Sequence, residues 1–431
     1  MNAIHPPGML EATRLTREGR LTEATALLQR LLRGDEAADT AAATRHAPSG
    51  TPAGRLPRII DVNSETGEAS DPAPASAAAG ARRAAPSPWP ADGMGGSAMP
   101  QMPEALRGFL DRLNQGGLEQ GLAGLTQRSP TRAPEPLPEG AQFVAGSFSG
   151  DAGSRGYKLY IPSTYRGEPV PLVVMLHGCT QSPDDFAAGT QMNALAEEHA
   201  CLIVYPGQTQ SANAQKCWNW FSPGDQQRDQ GEPALIAGIT RQVMRDHAVD
   251  ARRVYVAGLS AGGAAAAIMG QAYPDLYAAV GVHSGLACGA ARDIPSAFAA
   301  MRQGAAAPQP PGRASATDGN RRIVPTIVFH ADKDGTVHPR NGDQVIAQSG
   351  AAGALRTEVQ QGQVPGGHAY SRTVYADAGG QPVLEQWLIH GGGHAWSGGS
   401  AAGSYTDPRG PDASREMLRF FLEHPQSTEA R

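Results

Sequence analysis

Two kinds of apolar spacing divide this chain. From residue 141 onward, short apolar runs recur between stretches of helical period. Gln142–Phe148 and Tyr157–Ile161 predict strands, antiparallel to each other, at the start of a sheet. Pro171-Leu-Val-Val-Met-Leu-His177 is a continuous apolar run, as a parallel strand covered on both faces requires. Residues 184–200 predict a helix, Cys201–Tyr205 a strand, 232–247 a helix and Arg253–Ala257 another strand. A small-residue helix follows Ser260. Tyr277–His283 and Thr326–His330 predict strands, and 341–349 a helix. Tyr370–Tyr375 and Leu384–His390 predict a late hairpin, and Glu416–Leu422 belongs to a last helix. Strands alternating with helices give an α/β fold class, a mostly parallel twisted sheet flanked by helices.

The first 140 residues follow other patterns. Leu10, Leu21, Ala24, Leu28 and Leu31 form a helical stripe within 9–33, broken by Gly19, so residues 1–34 predict one helix or a helical hairpin. Such a hairpin cannot bury its own apolar face. It either docks on the main domain or contacts a partner or an apolar polymer granule. Residues 35–100 are rich in Ala, Pro, Gly and Ser without periodicity, and read as a disordered linker. Leu106, Phe109, Leu110, Leu113, Leu118, Leu122 and Leu125 suggest short helices within 101–140, closed by a Pro-rich boundary. Residues 141–431 form the large domain.

Composition narrows the picture. The chain has 431 residues, a formal net charge of −5 and 18% charged residues, so no nucleic-acid surface is expected. No apolar run is long enough to predict a membrane span, and no secretory signal is recognised at the N-terminus. A cytoplasmic location follows as the expectation, with an extracellular one as the alternative. The four cysteines, Cys179, Cys201, Cys217 and Cys288, lack C-x-x-C spacing, and no metal site is expected. Cys179 and Cys217 both flank loops near the candidate site. A disulfide between them is compatible with that placement, but spacing does not fix the connectivity.

The candidate chemistry centres on Tyr255-Val-Ala-Gly-Leu-Ser-Ala-Gly-Gly263. This is Gly-x-Ser-x-Gly between a strand and a helix. The turn is too tight for side chains two residues either side of Ser260, hence the flanking glycines. It lifts the hydroxyl above the sheet and aims a helix N-terminus at it, with the Ala261 N–H as a candidate oxyanion donor. A serine hydroxyl needs a histidine base, and the base needs a carboxylate to fix its tautomer. The chain supplies them in the order Ser, Asp, His. Asp334, in Asp334-Gly-Thr-Val-His-Pro339, is the candidate acid, and its neighbour Asp332 could brace the turn instead. His394, presented by Gly391-Gly392-Gly393, is the candidate base, with His338, His368 and His390 as competitors. The turn Leu176-His-Gly-Cys-Thr-Gln181 offers the Cys179 N–H as second oxyanion donor. A nucleophilic Cys179 is a weaker alternative, because no base motif accompanies it. Trp218, Trp220 and Trp396 are candidates for a wall that grips an acyl chain; loop core is the other reading for the Trp218 cluster.

These residues resemble the polyhydroxybutyrate (PHB) depolymerase-type esterases of the α/β-hydrolase superfamily, relatives of feruloyl and acetylxylan esterases. The segments that carry the resemblance are Leu176–Gln181, Tyr205-Pro206, Cys217-Trp-Asn-Trp-Phe221, Gly258–Gly263, His283-Ser-Gly285, Asp334–Pro339, Gly392-Gly-His-Ala-Trp396 and Gly410-Pro-Asp-Ala-Ser414. It implies an α/β-hydrolase fold and a cofactor-free serine esterase. Ser260 would be the nucleophile, Asp334 the acid and His394 the base, with Cys179 and Ala261 as oxyanion donors. The pattern around Thr13–Leu32 is similar to that of intracellular-type members. Secreted polymer degraders of the family carry an export signal and often a binding module, and neither is recognised here. A short-chain or oligomeric hydroxyalkanoate-type ester is therefore the expected substrate. A feruloyl or acetylxylan ester, a peptidase or acyltransferase on the same fold, and a non-catalytic granule-binding scaffold are the alternatives.

Overall fold

The computed structural model describes residues 137–306, 324–350 and 354–427. The expected helices at 9–33 and among residues 106–125, and the linker at 35–100, lie outside the described residues.

Ten strands form one sheet. β1 (Gln142–Gly150) and β2 (Gly153–Ile161) open it, followed by β3 (Val170–Leu176). α1 (Pro183–Thr190) and α2 (Met192–His199) lead to β4 (Leu202–Pro206). A 3₁₀ turn at Pro223–Gln226 precedes α3 (Gly231–Asp246), β5 (Val249–Leu259) and α4 (Ala261–Ala272). Then come β6 (Ala279–His283), α5 (Ile294–Gln303), β7 (Thr326–Ala331) and α6 (Arg340–Gly350). β8 (Arg356–Gln363), β9 (Ala369–Ala376) and β10 (Pro382–Ile389) complete the sheet. A small pair, β11 (Trp396–Ser397) with β12 (Thr406–Asp407), and α7 (Ala413–Glu423) follow.

The strand order is β1-β2-β4-β3-β5-β6-β7-β10-β9-β8. The pairs from β4 through β3, β5, β6 and β7 to β10 are parallel. The outer pairs on each side are antiparallel. This is the expected mostly parallel sheet, with the expected antiparallel opening and the expected late hairpin.

Alternation along the central strands builds two cores. Leu172, Val174, Leu176 and Val256 face one side, packed with Ile236 of α3, Ile268 of α4 and Val345 of α6. Val173, Met175, Tyr255 and Ala257 face the other, packed with Phe186, Leu195, Met417 and Phe421 of α1, α2 and α7. Both faces of β3 are fully buried, which explains its unbroken apolar run.

Three local features differ from the sequence reading. The single helix expected over 184–200 is two helices, because Gln191 turns left-handed at φ 54°. The end of α1 is bonded from outside instead: Ser400 N–H donates to Gly189 O (2.8 Å) and Ser414 Oγ to Thr190 O (2.6 Å). α5 and β8 were not expected at all.

Candidate active site

Ser260 sits between β5 and α4 with φ 58° and ψ −118°, a backbone conformation costly for a residue that carries a Cβ. The glycines around it make that turn feasible. A Cβ on Gly258 would meet Gly262 O at 2.3 Å, and one on Gly262 would meet Leu176 O at 2.0 Å. Ser260 N–H donates to His283 O (2.9 Å), which ties the turn to the end of β6. Although Ser260 occupies the N-cap position, its side chain makes no capping bond, so the hydroxyl is not committed to the helix.

Asp334 follows β7 and is buried. Its Oδ1 accepts Thr336 N–H (2.9 Å) and Val337 N–H (2.8 Å), which closes a local turn and aims Oδ2 outward. Oδ2 lies 2.7 Å from His394 Nδ1 and 3.4 Å from His330 Nε2. Burial on its own would raise the Asp334 carboxyl; His394 and His330 outweigh it and hold the group far below its ordinary value. The carboxylate is therefore ionised, and His394 Nδ1–H is the donor. That leaves Nε2 of His394 as the free basic nitrogen. Ser260 and His394 come to the same end of the sheet without a hydrogen bond between them.

His394 is held in place by its neighbours. Lys333 N–H donates to Gly392 O (3.2 Å), and Trp396 N–H to Tyr405 O (2.7 Å). Ser397 N–H donates to Nε2 of His283 (3.0 Å). His283 is fully buried between Phe329 and Trp396, and burial lowers it to about 3, so it acts as a neutral acceptor.

The competing residues have other partners. Asp332 accepts Gly391 N–H on Oδ1 (2.8 Å) and pairs with His390 Nδ1 through Oδ2 (3.2 Å). His390 Nε2 lies 2.9 Å from Ser371 Oγ, and His368 Nε2 lies 2.8 Å from Asp407. His338 Nδ1 accepts Arg340 N–H (3.2 Å).

On the other flank of Ser260 lies the turn after β3. A Cβ on Gly178 would be 3.6 Å from Ser260 Cβ, so this backbone runs directly beside the serine. Cys179 is bonded to Cys217, which excludes it as a free nucleophile. Gln208 N–H donates to His177 Nε2 (3.0 Å), so the ring proton is on Nδ1 and donates to Gly178 O (2.7 Å). That carbonyl and the Cys179 N–H belong to one peptide group, so fixing one end fixes the other.

The substrate wall expected of three tryptophans is corrected by the structure for Trp218 and Trp396. Trp218 has 0% of its surface exposed and donates Nε1–H to His177 O (3.0 Å). Trp396 has 1% exposed and donates to Ser414 Oγ (3.0 Å). Trp220 is buried against Phe221. Trp218 and Trp396 present almost no surface to a substrate and brace the loops around the site, whereas Trp220 keeps 6% of its surface exposed. Sequence reading missed His177, Gln208 and Glu232, which form the buried polar support of the Cys179 turn. Their signal was weak, because isolated polar residues in loops and first helical turns are common.

A groove of about 520 Å³ lies at Arg372, Glu385, Trp387 and Arg419, on strands and a helix away from Ser260. Its two arginines are already paired with Glu385 at 2.7 and 2.8 Å. Among the described residues, no group of three or more His, Cys, Asp and Glu is arranged to hold a metal ion.

The architecture and the strand-turn-helix serine are those of the α/β-hydrolase fold. Residues 155–356 match the family model Esterase PHB depolymerase. The chain is 33% identical over 254 residues to poly(3-hydroxyalkanoate) depolymerase C of Paucimonas lemoignei, covering 58% of this chain and 60% of the relative. It is 32% identical over 140 residues to feruloyl esterase B of Thermothelomyces thermophilus, covering 32% of this chain and 47% of the relative. The chain thus spans about half to three fifths of the length of these two relatives. The fold is also that of an acetyl xylan esterase from Aspergillus awamori, with a TM-score of 0.51, 21% identity, and coverage of 65% of this chain and 99% of that one.

Proposed function

We propose that this chain is a serine carboxylic ester hydrolase that works through an acyl-enzyme. The observation that carries the reading is the 2.7 Å contact between Asp334 Oδ2 and His394 Nδ1, at the same sheet end as a strained Ser260. In this mechanism His394 Nε2 takes the Ser260 proton and Oγ attacks the ester carbonyl carbon. The N–H groups of Ala261 and Cys179 hold the oxyanion, each donor supplying about 10²–10³ in rate. His394 then protonates the departing alcohol. Water, deprotonated by His394, attacks the acyl-enzyme and releases the acid and the free serine.

Short-chain or oligomeric hydroxyalkanoate esters are the proposed substrates, supported by the similarity to a poly(3-hydroxyalkanoate) depolymerase. Feruloyl and acetylxylan esters are the competing class. No helix among the described residues is long and apolar enough to cross a membrane. The Cys179–Cys217 disulfide favours an oxidising compartment over the cytoplasm expected from sequence.

A chain-length series of p-nitrophenyl and hydroxyalkanoate esters, run beside a peptide amide, tests the reading. Ester turnover is expected, with Ser260→Ala and His394→Ala each losing at least about 10³ in kcat. Near-normal rates in either variant would overturn it.

A further inference from the structure

Glu232 is the one carboxylate in the first turn of α3, and it is buried, with 6% of its surface exposed. An ionisable side chain in that position needs partners, and it has three N–H donors. Oε1 accepts Gln208 Nε2–H and Asn219 Nδ2–H (2.8 Å), and Oε2 accepts the Asn219 backbone N–H (2.7 Å). Gln208 also donates to Cys217 O (3.0 Å), and its own backbone N–H reaches His177 Nε2 (3.0 Å). His177 in turn donates to Gly178 O (2.7 Å). One unbroken series of hydrogen bonds therefore runs from a buried carboxylate to the peptide group that carries the Cys179 N–H.

We propose that Glu232 is a positioning residue for the oxyanion hole: it holds Gln208 and the 217–219 loop so that His177 fixes the Gly178–Cys179 peptide with its N–H toward the Ser260 side. This rests on the esterase reading above. A transition state places negative charge where that N–H points, whereas a ground-state ester does not. A peptide free to rotate loses mainly turnover, not ground-state binding.

The arrangement requires the ionised carboxylate. A protonated Glu232 would present a donor to one of three N–H groups and leave a buried donor unpaired. Charged groups face it from two elements. Arg155 of β2 has Nη2 4.0 Å from Oε1, and Asp225 of the 3₁₀ turn accepts the Glu232 N–H (2.8 Å). Gln208 and Asn219 are neutral, and burial keeps His177 neutral. Burial raises the Glu232 carboxyl to about 7, against the opposing pull of the Asn219 N–H, so it titrates near the working range of a histidine base.

Glu232→Gln tests the proposal, since it keeps the shape and removes one acceptor. In the folded variant kcat for a p-nitrophenyl ester should fall about 10- to 100-fold while KM stays within about threefold. Wild-type log kcat on the acid side should fall with a slope above one, reporting two deprotonations. The variant should retain a slope of one. Unchanged kcat, or a loss appearing wholly in KM, overturns the proposal. Should Glu232→Gln not fold, Gln208→Met removes the same link from the other side, and a kcat within twofold of wild type overturns it equally. Ser260→Ala separates the two levels. An inactive Ser260→Ala beside a normal Glu232→Gln removes only the role of Glu232, whereas an active Ser260→Ala removes the esterase reading itself.

Discussion

At the scale of single residues, the site is defined by which atoms are already occupied. Asp334 uses Oδ1 on two backbone N–H groups and keeps Oδ2 for His394, while Asp332 uses both oxygens on Gly391 and His390. Two aspartates two positions apart are thus unequal, one fixing the tautomer of His394 and the other joining two loops. Asp334→Asn would offer an amide where the imidazole needs an anion. It is expected to lower kcat by about 10³–10⁴ with little change in fold. Asp332→Asn keeps one oxygen acceptor and should cost less than about tenfold. Equal losses in the two variants would reverse the assignment of the acid.

At the scale of elements, five neighbouring strands bring the site together. The carboxyl ends of β3, β5, β6, β7 and β10 deliver Cys179, Ser260, His283, Asp334 and His394 in that spatial order. Loops without regular structure need bolts, and the Cys179–Cys217 bond is one, closing a sequence separation of 38 residues. Replacing both cysteines by serine should cost about 2–4 kcal/mol of unfolding free energy. Urea titration of wild type and variant checks this, and a reductant should lower the wild type to the same midpoint. No reductant effect would mean that the bond is unimportant in solution. The parallel core was legible because its apolar runs are physical necessities of double-sided burial. The Gly-x-Ser-x-Gly turn was legible because a Cβ on either glycine would collide with backbone. β8 was not, because Arg356-Thr-Glu-Val-Gln-Gln-Gly-Gln363 is exposed along an edge and carries no apolar alternation. α5 could have been read: Asp293 and Ser296 form a capping box, with Pro295 in the first turn. The tryptophans misled because aromatic richness signals burial as readily as a substrate wall, and only accessibility separates the two.

At the scale of the whole molecule, buried ionisable groups set how stability responds to acid. His177 and His283 are fully buried, and desolvation lowers them from 6.5 to about 4 and about 3. Below pH 6.5 the unfolded chain gains two protons that the folded chain refuses, so each imidazole withdraws about 1.4 kcal/mol of stability per pH unit as pH falls. Glu232 acts in the opposite sense. Its folded value of about 7 lies above the unfolded 4.5, so the folded chain holds a proton there that the unfolded chain has released. Lowering the pH from 7 to 4.5 therefore relieves its penalty. For these three groups, two protons against one leave a slope of about 1.4 kcal/mol per pH unit between pH 6.5 and about 5, with stability falling toward acid; below that, carboxylates held low in the fold, such as Asp334 and Glu385, steepen the fall. Glu232→Gln removes the opposing group, and the slope in that window should double. Urea midpoints at pH 7, 6 and 5 for both proteins measure it. A wild type whose midpoint is flat across that range would mean that the two imidazoles are not held neutral in the core, and with that the neutral His177 that orients the Gly178–Cys179 peptide would be lost as well.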